Sequence, residues 1–171
     1  MADVEAVGDI TAAAWRDRLV GILPSPVLES LRGDDLALVW AGSLVNPPTP
    51  LHRLLVAVEG DDVVGYAAVG PSPDPDADAG TAELLALEVD PAHQRAGHGS
   101  RLLGACVDVA RSAGADTLTV WCPLVDEVRR AFLQSAGWGP DTALRDLATG
   151  DPDDADGLLR EARLVTDIRA T

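Results

Sequence analysis

The stretch that most restricts the fold of this chain is Glu83 to Leu103, ELLALEVDPAHQRAGHGSRLL. Its apolar, β-prone first half predicts a strand from about Ala82 to Val89, and Pro91 ends it because proline has no N–H for a ladder. A short loop carrying Gly97 and Gly99 then leads into a helix expected from about Gly99 to Ala113 and stopped by Gly114. Without a Cβ, the two glycines let the backbone approach a ligand closely and take unusual dihedrals. The unpaired N–H groups at a helix start, with the positive end of its dipole, suit an anion such as a pyrophosphate. Two familiar phosphate loops do not fit. A P-loop needs lysine after its last glycine, where Ser100-Arg101 stands, and the dinucleotide fingerprint needs a third glycine where Leu102 sits.

The surrounding chain alternates in the same way. Thr117–Cys122 reads as a strand, and about Asp126 to Ala136 as a helix stopped by Gly137. Before the central run, Leu54–Val58 and Val63–Val69 form a hairpin signal joined by Glu59-Gly60-Asp61-Asp62. The segment Pro71 to Gly80, PSPDPDADAG, predicts a mobile surface loop. Two further strands are expected near Ala143–Leu147 and Leu159–Ile168, separated by an acidic loop at Gly150-Asp151-Pro152-Asp153-Asp154. The first third predicts helices: one after a cap at Asp9, presenting Ala12, Trp15, Leu19 and Ile22; a short one at Ser25-Pro26, with Ser25 as N-cap; and one from Asp34 or Asp35. Asn46-Pro47-Pro48-Thr49-Pro50 ends the last of these. The pattern is mixed α/β.

The apolar fraction of 47% supplies a core for one compact domain spanning 1–171. Cys106 and Cys122 lie in apolar periodic segments and are expected to pack as small hydrophobes, with no metal site and no disulfide framework. Acids outnumber bases 28 to 13, for a net charge of −15, which argues against nucleic acid as a partner. An acidic surface favours cationic small molecules or basic peptides, or simply solubility. The N-terminus has neither a basic nor an apolar leader region, and Leu36–Val45 is about half a membrane span. A cytoplasmic protein with no membrane partner is the expectation.

The segment Gln94-Arg95-Ala96-Gly97-His98-Gly99 resembles the Gln/Arg-x-x-Gly-x-Gly/Ala signature of the GNAT (GCN5-related N-acetyltransferase) superfamily, and Val89-Asp90-Pro91 resembles its strand-ending Val-x-Pro. Ala131-Phe132-Leu133-Gln134-Ser135-Ala136-Gly137-Trp138 is similar to its helix-to-strand junction, A-x-x-x-Y-x-x-x-G-F. The likeness is detailed from about Leu54 to Trp138 and only architectural in the helical first third. It implies a mixed, mostly antiparallel sheet of about six to seven strands, flanked by about four helices and splayed at the central strands. It further implies an acceptor-side helical region near 9–45, an acyl-CoA-binding core near 54–138 and a C-terminal hairpin near 143–168.

The resemblance implies acetyl-CoA as co-substrate. Main-chain amides of Arg95, Ala96, Gly97, His98, Gly99 and Ser100 would bind its pyrophosphate, with Gln94 opening the signature, and strand-edge groups of Leu87 to Val89 would pair with the pantetheine arm. The His98 side chain is expected to point to solvent, and Arg95 either reaches a phosphate or is solvated. Asp126 replaces the family's frequent asparagine and is a candidate N-cap and cofactor-side residue. The implied reaction moves an acetyl group to a primary amine of a small molecule or peptide. The alternative is an acyl-CoA-sensing module without catalysis, and a second copy of the chain is a further candidate partner.

Such an amine must lose its proton: with a lysine-like pKa it is neutral about once in 2,500 molecules at pH 7. Glu83 and Glu88 are the candidate bases on the central strand. Strict alternation predicts that they point to opposite faces, so that one alone faces the acceptor. Glu83 stands eleven residues before Gln94, where histone-acetylating members carry a glutamate; Glu88 is nearer the thioester end. The junction tyrosine, the family's usual acid, is replaced by Leu133, and the chain's one tyrosine is Tyr66. That leaves the role vacant, or filled by water or by Tyr66.

Overall fold

The computed structural model describes residues 2–149 and 157–169. Three helices come first: α1 (Ala2–Arg18), α2 (Ser25–Ser30) and α3 (Gly33–Val45). Helix α1 begins well before Asp9 because its buried stripe, Val7, Ile10, Thr11 and Ala14, starts earlier; Asp9 lies mid-helix on the solvent side. Its last turn ends at Arg18, so Leu19 and Ile22 belong to the following turn, where Gly21 has φ +75°. At the start of α2, Pro24 takes the cap position that Ser25 was expected to hold. Helices α1 and α3 approach closely at Gly8, where a Cβ would stand 2.3 Å from the Gly33 carbonyl oxygen.

A six-stranded sheet follows, in the order β1-β2-β3-β4-β6-β5. Its strands are β1 (Arg53–Glu59), β2 (Asp62–Pro71), β3 (Thr81–Val89), β4 (Thr117–Pro123), β5 (Gly139–Ala148) and β6 (Leu158–Asp167). Helix α4 (His98–Ser112) crosses between β3 and β4, and α5 (Glu127–Ser135) follows β4. The α-helices number five among the described residues, one more than expected, because each helical signal in the first third forms its own element. Among the strands of the described residues, only β3 and β4 pair in parallel. The acidic loop at 150–154 lies outside the described residues.

Leu102, Leu103, Cys106 and Ala110 of α4, with Leu133 of α5, bury one face of the sheet against Val69, Leu84, Leu87, Leu118, Val120 and Leu164. The opposite face over β2 and β3 is covered by α1, where Val7 and Ile10 enclose Tyr66 with Trp40 packed beside them. Both cysteines are free and buried, and burial pushes their thiols up to about 12 for Cys106 and about 11 for Cys122. No described helix is long and apolar enough to cross a membrane.

Strands β3 and β4 are joined only at Thr81↔Thr117, Ala82↔Leu118 and Glu83↔Thr119. Beyond those pairs they part, leaving an open gap flanked by Leu84–Val89 on one side and 120–123 on the other.

Candidate active site

At the end of β3, Asp90 accepts a hydrogen bond from the Ala92 N–H at 2.8 Å and caps a single 3-10 turn, Pro91–His93. Arg95 is then left-handed at φ +64° and Gly97 at φ +86°, two reversals that aim the chain into α4. Gly97 is the N-cap, so α4 starts at His98, one residue earlier than expected. Its first bond runs from the Arg101 N–H to the Gly97 carbonyl at 3.1 Å. The N–H groups of Gly97, His98, Gly99 and Ser100 meet no acceptor among the described residues, and a Cβ placed at Gly97 would touch nothing within 4 Å. Four unsatisfied donors at the positive end of a 15-residue helix match the needs of a diphosphate.

His98 corrects its expectation, since its side chain is buried rather than solvated. Its Nε2 lies 3.1 Å from Glu59 Oε2 on β1, and Arg101 Nη2 lies 2.9 Å from its Nδ1. Arginine only donates, so Nδ1 accepts and Nε2–H donates to the Glu59 carboxylate. The imidazole ties the glycine loop to the β1–β2 hairpin, leaving its main-chain N–H free for a ligand.

A bulge on β3 overturns the expected alternation of the two glutamates. Ala68 pairs with Ala86 and Val69 with Leu84, so Leu85 is an extra residue without a partner. Leu84 and Leu87, three apart, therefore pack into the same core beneath α4 and α5. Glu83 opposes Gly70 and Glu88 opposes Tyr66, and both project to the face that carries α1. Sequence alternation assumes an unbroken pleat, which one inserted residue reverses.

The environments of the two carboxylates differ. Glu88 is buried and receives Arg18 Nη1 at 2.9 and 2.8 Å, Trp15 Nε1 at 3.3 Å and Arg129 Nη1 at 3.3 Å. Ringed by donors, two of them cationic, it has its oxygens committed to holding α1 and α5 at the end of β3. Glu83, also buried, keeps one long bond from the Ser72 hydroxyl, at 3.3 Å. Burial first, and the nearby Asp74 charge second, raise its pKa above the usual carboxylate value. A partly desolvated carboxylate with few partners has the character a base requires.

Asp126 caps α5 as expected, accepting from the Arg129 N–H at 2.9 Å. Its Oδ2 lies 3.1 Å from Arg18 Nε, close enough for an ion pair but without hydrogen-bond alignment. Arg18 thus joins α1 to β3 and α5 across the mouth of the gap. Arg129 also donates from Nη1 to the Leu87 carbonyl at 3.2 Å, and Gln94 Nε2 reaches the Val89 carbonyl at 3.4 Å. These are carbonyls on the strand edge that the sequence resemblance led us to expect beside the pantetheine arm.

Leu133 is fully buried in the core. Tyr66 is as deeply buried, its hydroxyl 2.7 Å from Thr11 Oγ1. Thr11 spends its own proton on the Val7 carbonyl at 2.6 Å, so Tyr66 is the donor of that pair. Burial raises the tyrosine pKa far above its ordinary value. Its proton is committed within the α1 packing and does not serve the gap.

The 71–80 loop, expected to be mobile, is tied down. Asp74 and Asp76 bind Arg163 at 3.0 and 2.7 Å, and Trp121 Nε1 donates to Asp74 at 3.1 Å. These side chains, with Arg145 stacked 4.4 Å over the Trp121 ring, form a polar wall beyond Glu83. Sequence reasoning missed Arg18, Arg129 and this wall. The one available signal was Arg129, four residues before Leu133, where the junction pattern has alanine.

The acetyltransferase (GNAT) family matches residues 14–138 of the chain. A mycothiol acetyltransferase of Kineococcus radiotolerans is 34% identical over 130 residues, which is 68% of this chain; the chain spans 41% of that relative's length. Among solved structures, the PaiA N-acetyltransferase of Thermoplasma acidophilum in complex with coenzyme A superposes with a TM-score of 0.71 at 16% identity, covering 97% of this chain and 93% of its own. YncA of Salmonella typhimurium, with its cofactor acetyl-CoA, gives 0.69 at 21% identity, covering 99% and 91%. These two share the fold.

Proposed function

The chain belongs to the acetyltransferase (GNAT) family, and from that premise we propose that it transfers an acetyl group from acetyl-CoA to a primary amine of a small molecule or peptide, by direct attack in a ternary complex. The observation that carries the reading is the run of acceptor-less N–H groups at Gly97 to Ser100, set at the end of β3 beside the gap. A diphosphate there directs the acyl arm along the Leu87–Val89 edge. Arg129 and Gln94, which hold the Leu87 and Val89 carbonyls, would yield those acceptors to the amides of the arm.

In this reading the domain works as one unit, with α1 to α3 shaping the acceptor side. Glu83 takes the amine proton, directly or through water, because its carboxylate is the less committed of the pair. Glu88 holds Arg18 and Arg129 in place. A base so placed contributes roughly 10² to 10⁴ in rate.

Leu133 and the sequestered Tyr66 favour one second reading, an acyl-CoA-binding module with impaired catalysis. Calorimetry with acetyl-CoA tests the shared premise: no binding overturns both readings. A thiol-release assay against an amine panel, with mass spectrometry of products, separates them. Acetylated product supports the transferase; tight binding without turnover supports the sensor.

A further inference from the structure

Leu133 leaves the departing coenzyme A sulfur without the family's usual proton donor. We propose that Arg129 is a catalytic residue that holds the leaving thiolate by charge, in place of an acid. The proposal rests on the acetyl transfer reading above.

Three observations place the guanidinium. First, Arg129 lies one helical turn before Leu133 on α5, and helical side chains lean toward the N-terminus, so a long side chain at 133 would project over the turn that holds Arg129. Second, its Nη1 contacts the Leu87 carbonyl and Glu88 in the gap between β3 and β4, where no backbone pairing closes the sheet. Third, its Nε and Nη2 have no acceptor among the described residues, so donors remain for an anion. Arg18 is the other cation at this point, but Glu88 takes its Nη1 and Asp126 lies against its Nε. With Tyr66 committed to Thr11, and with Arg18 facing two carboxylates, Glu88 and Asp126, where Arg129 faces Glu88 alone, Arg129 is the cation on α5 whose charge is less neutralised.

The step balances without an acid. As the amine nitrogen bonds to the acetyl carbon, the C–S bond breaks and its electron pair goes to sulfur. The proton lost from nitrogen passes to Glu83 or solvent. The thiolate leaves as an anion beside Arg129, which keeps its own proton, and is protonated later by water. An adjacent guanidinium lowers a thiol's pKa, as it does for cysteines beside arginine.

The test begins with calorimetric binding of coenzyme A to the whole protein and to Arg129→Met. If the wild type binds neither acetyl-CoA nor coenzyme A, the transferase reading fails and not this proposal alone. Where binding holds, the thiol of bound coenzyme A is titrated by the ultraviolet absorbance of its thiolate. We expect it to ionise at least about one pH unit lower in wild type than in Arg129→Met. Turnover should fall about 30-fold or more in Arg129→Met, with KM for acetyl-CoA changed less than threefold, and added guanidinium should restore part of it. Arg129→Lys keeps the charge: it should retain the low thiol titration, and its rate should decline at high pH as the ammonium deprotonates. Tyr66→Phe should turn over at close to the wild-type rate. Identical thiol titration in wild type and Arg129→Met, or an undiminished turnover number in that variant, overturns the assignment. If Arg129→Met does not fold, Arg129→Lys decides: a thiol titrating as in free coenzyme A, or a rate without the high-pH decline, refutes it.

Discussion

Replacing Arg18 by methionine isolates the ion pairs that close the mouth of the gap. Arg18 is the only cation against Asp126 Oδ2 among the described residues, and that carboxylate side chain is 2% exposed. Glu88 would keep Arg129 and Trp15, so the cost falls mainly on Asp126. Removing one partner of a buried pair costs roughly 3–5 kcal/mol. Arg18 itself is 22% exposed, so solvent screens part of the loss and about 2–3 kcal/mol is expected. For a chain of 171 residues, with an unfolding entropy of about 2.1 cal/mol/K per residue, that is a fall of roughly 6–8 °C in Tm. Denaturant unfolding at unchanged m measures it. The informative variant is the double substitution Arg18→Met with Asp126→Asn. The amide keeps an oxygen to cap α5 but carries no charge, so about 1–2 kcal/mol should return. If Asp126→Asn costs as much in the Arg18→Met background as in the parent, the orphaned charge is not the cause.

Glu83→Gln should cut turnover by about 10² or more. Because burial raises the Glu83 pKa, the wild-type rate should rise with pH along a limb displaced above the ordinary carboxylate range, and the variant should lack that limb. The same raised pKa has a stability consequence: the folded state holds its proton more tightly than the unfolded chain, so ionisation costs stability as pH rises through the unfolded value toward the folded one. Glu83→Gln should therefore be the more stable protein at neutral pH, with the difference vanishing in acid below the unfolded value, as read by Tm against pH. His98→Ala removes the hydrogen bond that ties the loop to Glu59 of β1 and a second from Arg101 within α4; a loss of about 1–3 kcal/mol in stability and a several-fold weaker acetyl-CoA affinity are expected by calorimetry. Gly97→Ala meets no atom but must hold φ +86°; its strain of about 1–2 kcal/mol should appear chiefly as weakened coenzyme A binding.

Much of the fold was legible because its signals are local. Gly114 and Gly137 end α4 and α5 where expected, both with φ +90°. Pro91 ends β3, and Asp126 caps α5. Gly97 marked the loop, since glycine takes the left-handed N-cap at φ +86° at little cost, whereas Gly99 lies inside α4. Less legible was α1, whose Asp9 looks like a cap but lies mid-helix because buried positions precede it.

The sequence by itself determined the order of elements, the position of the glycine loop ahead of α4 and the leucine at 133, since each depends on residues adjacent in the chain. Tertiary structure alone decided which groups face the open strands. The bulge at Leu85 turns Glu83 and Glu88 to one face, a long-range pairing buries His98 against Glu59, and the packing of α1 and α5 brings Arg18 and Arg129 to the gap. Partners 39 to 70 residues apart leave no periodic trace in the sequence. Their contacts come from how strands register and helices pack, and a single inserted residue in a strand changes both.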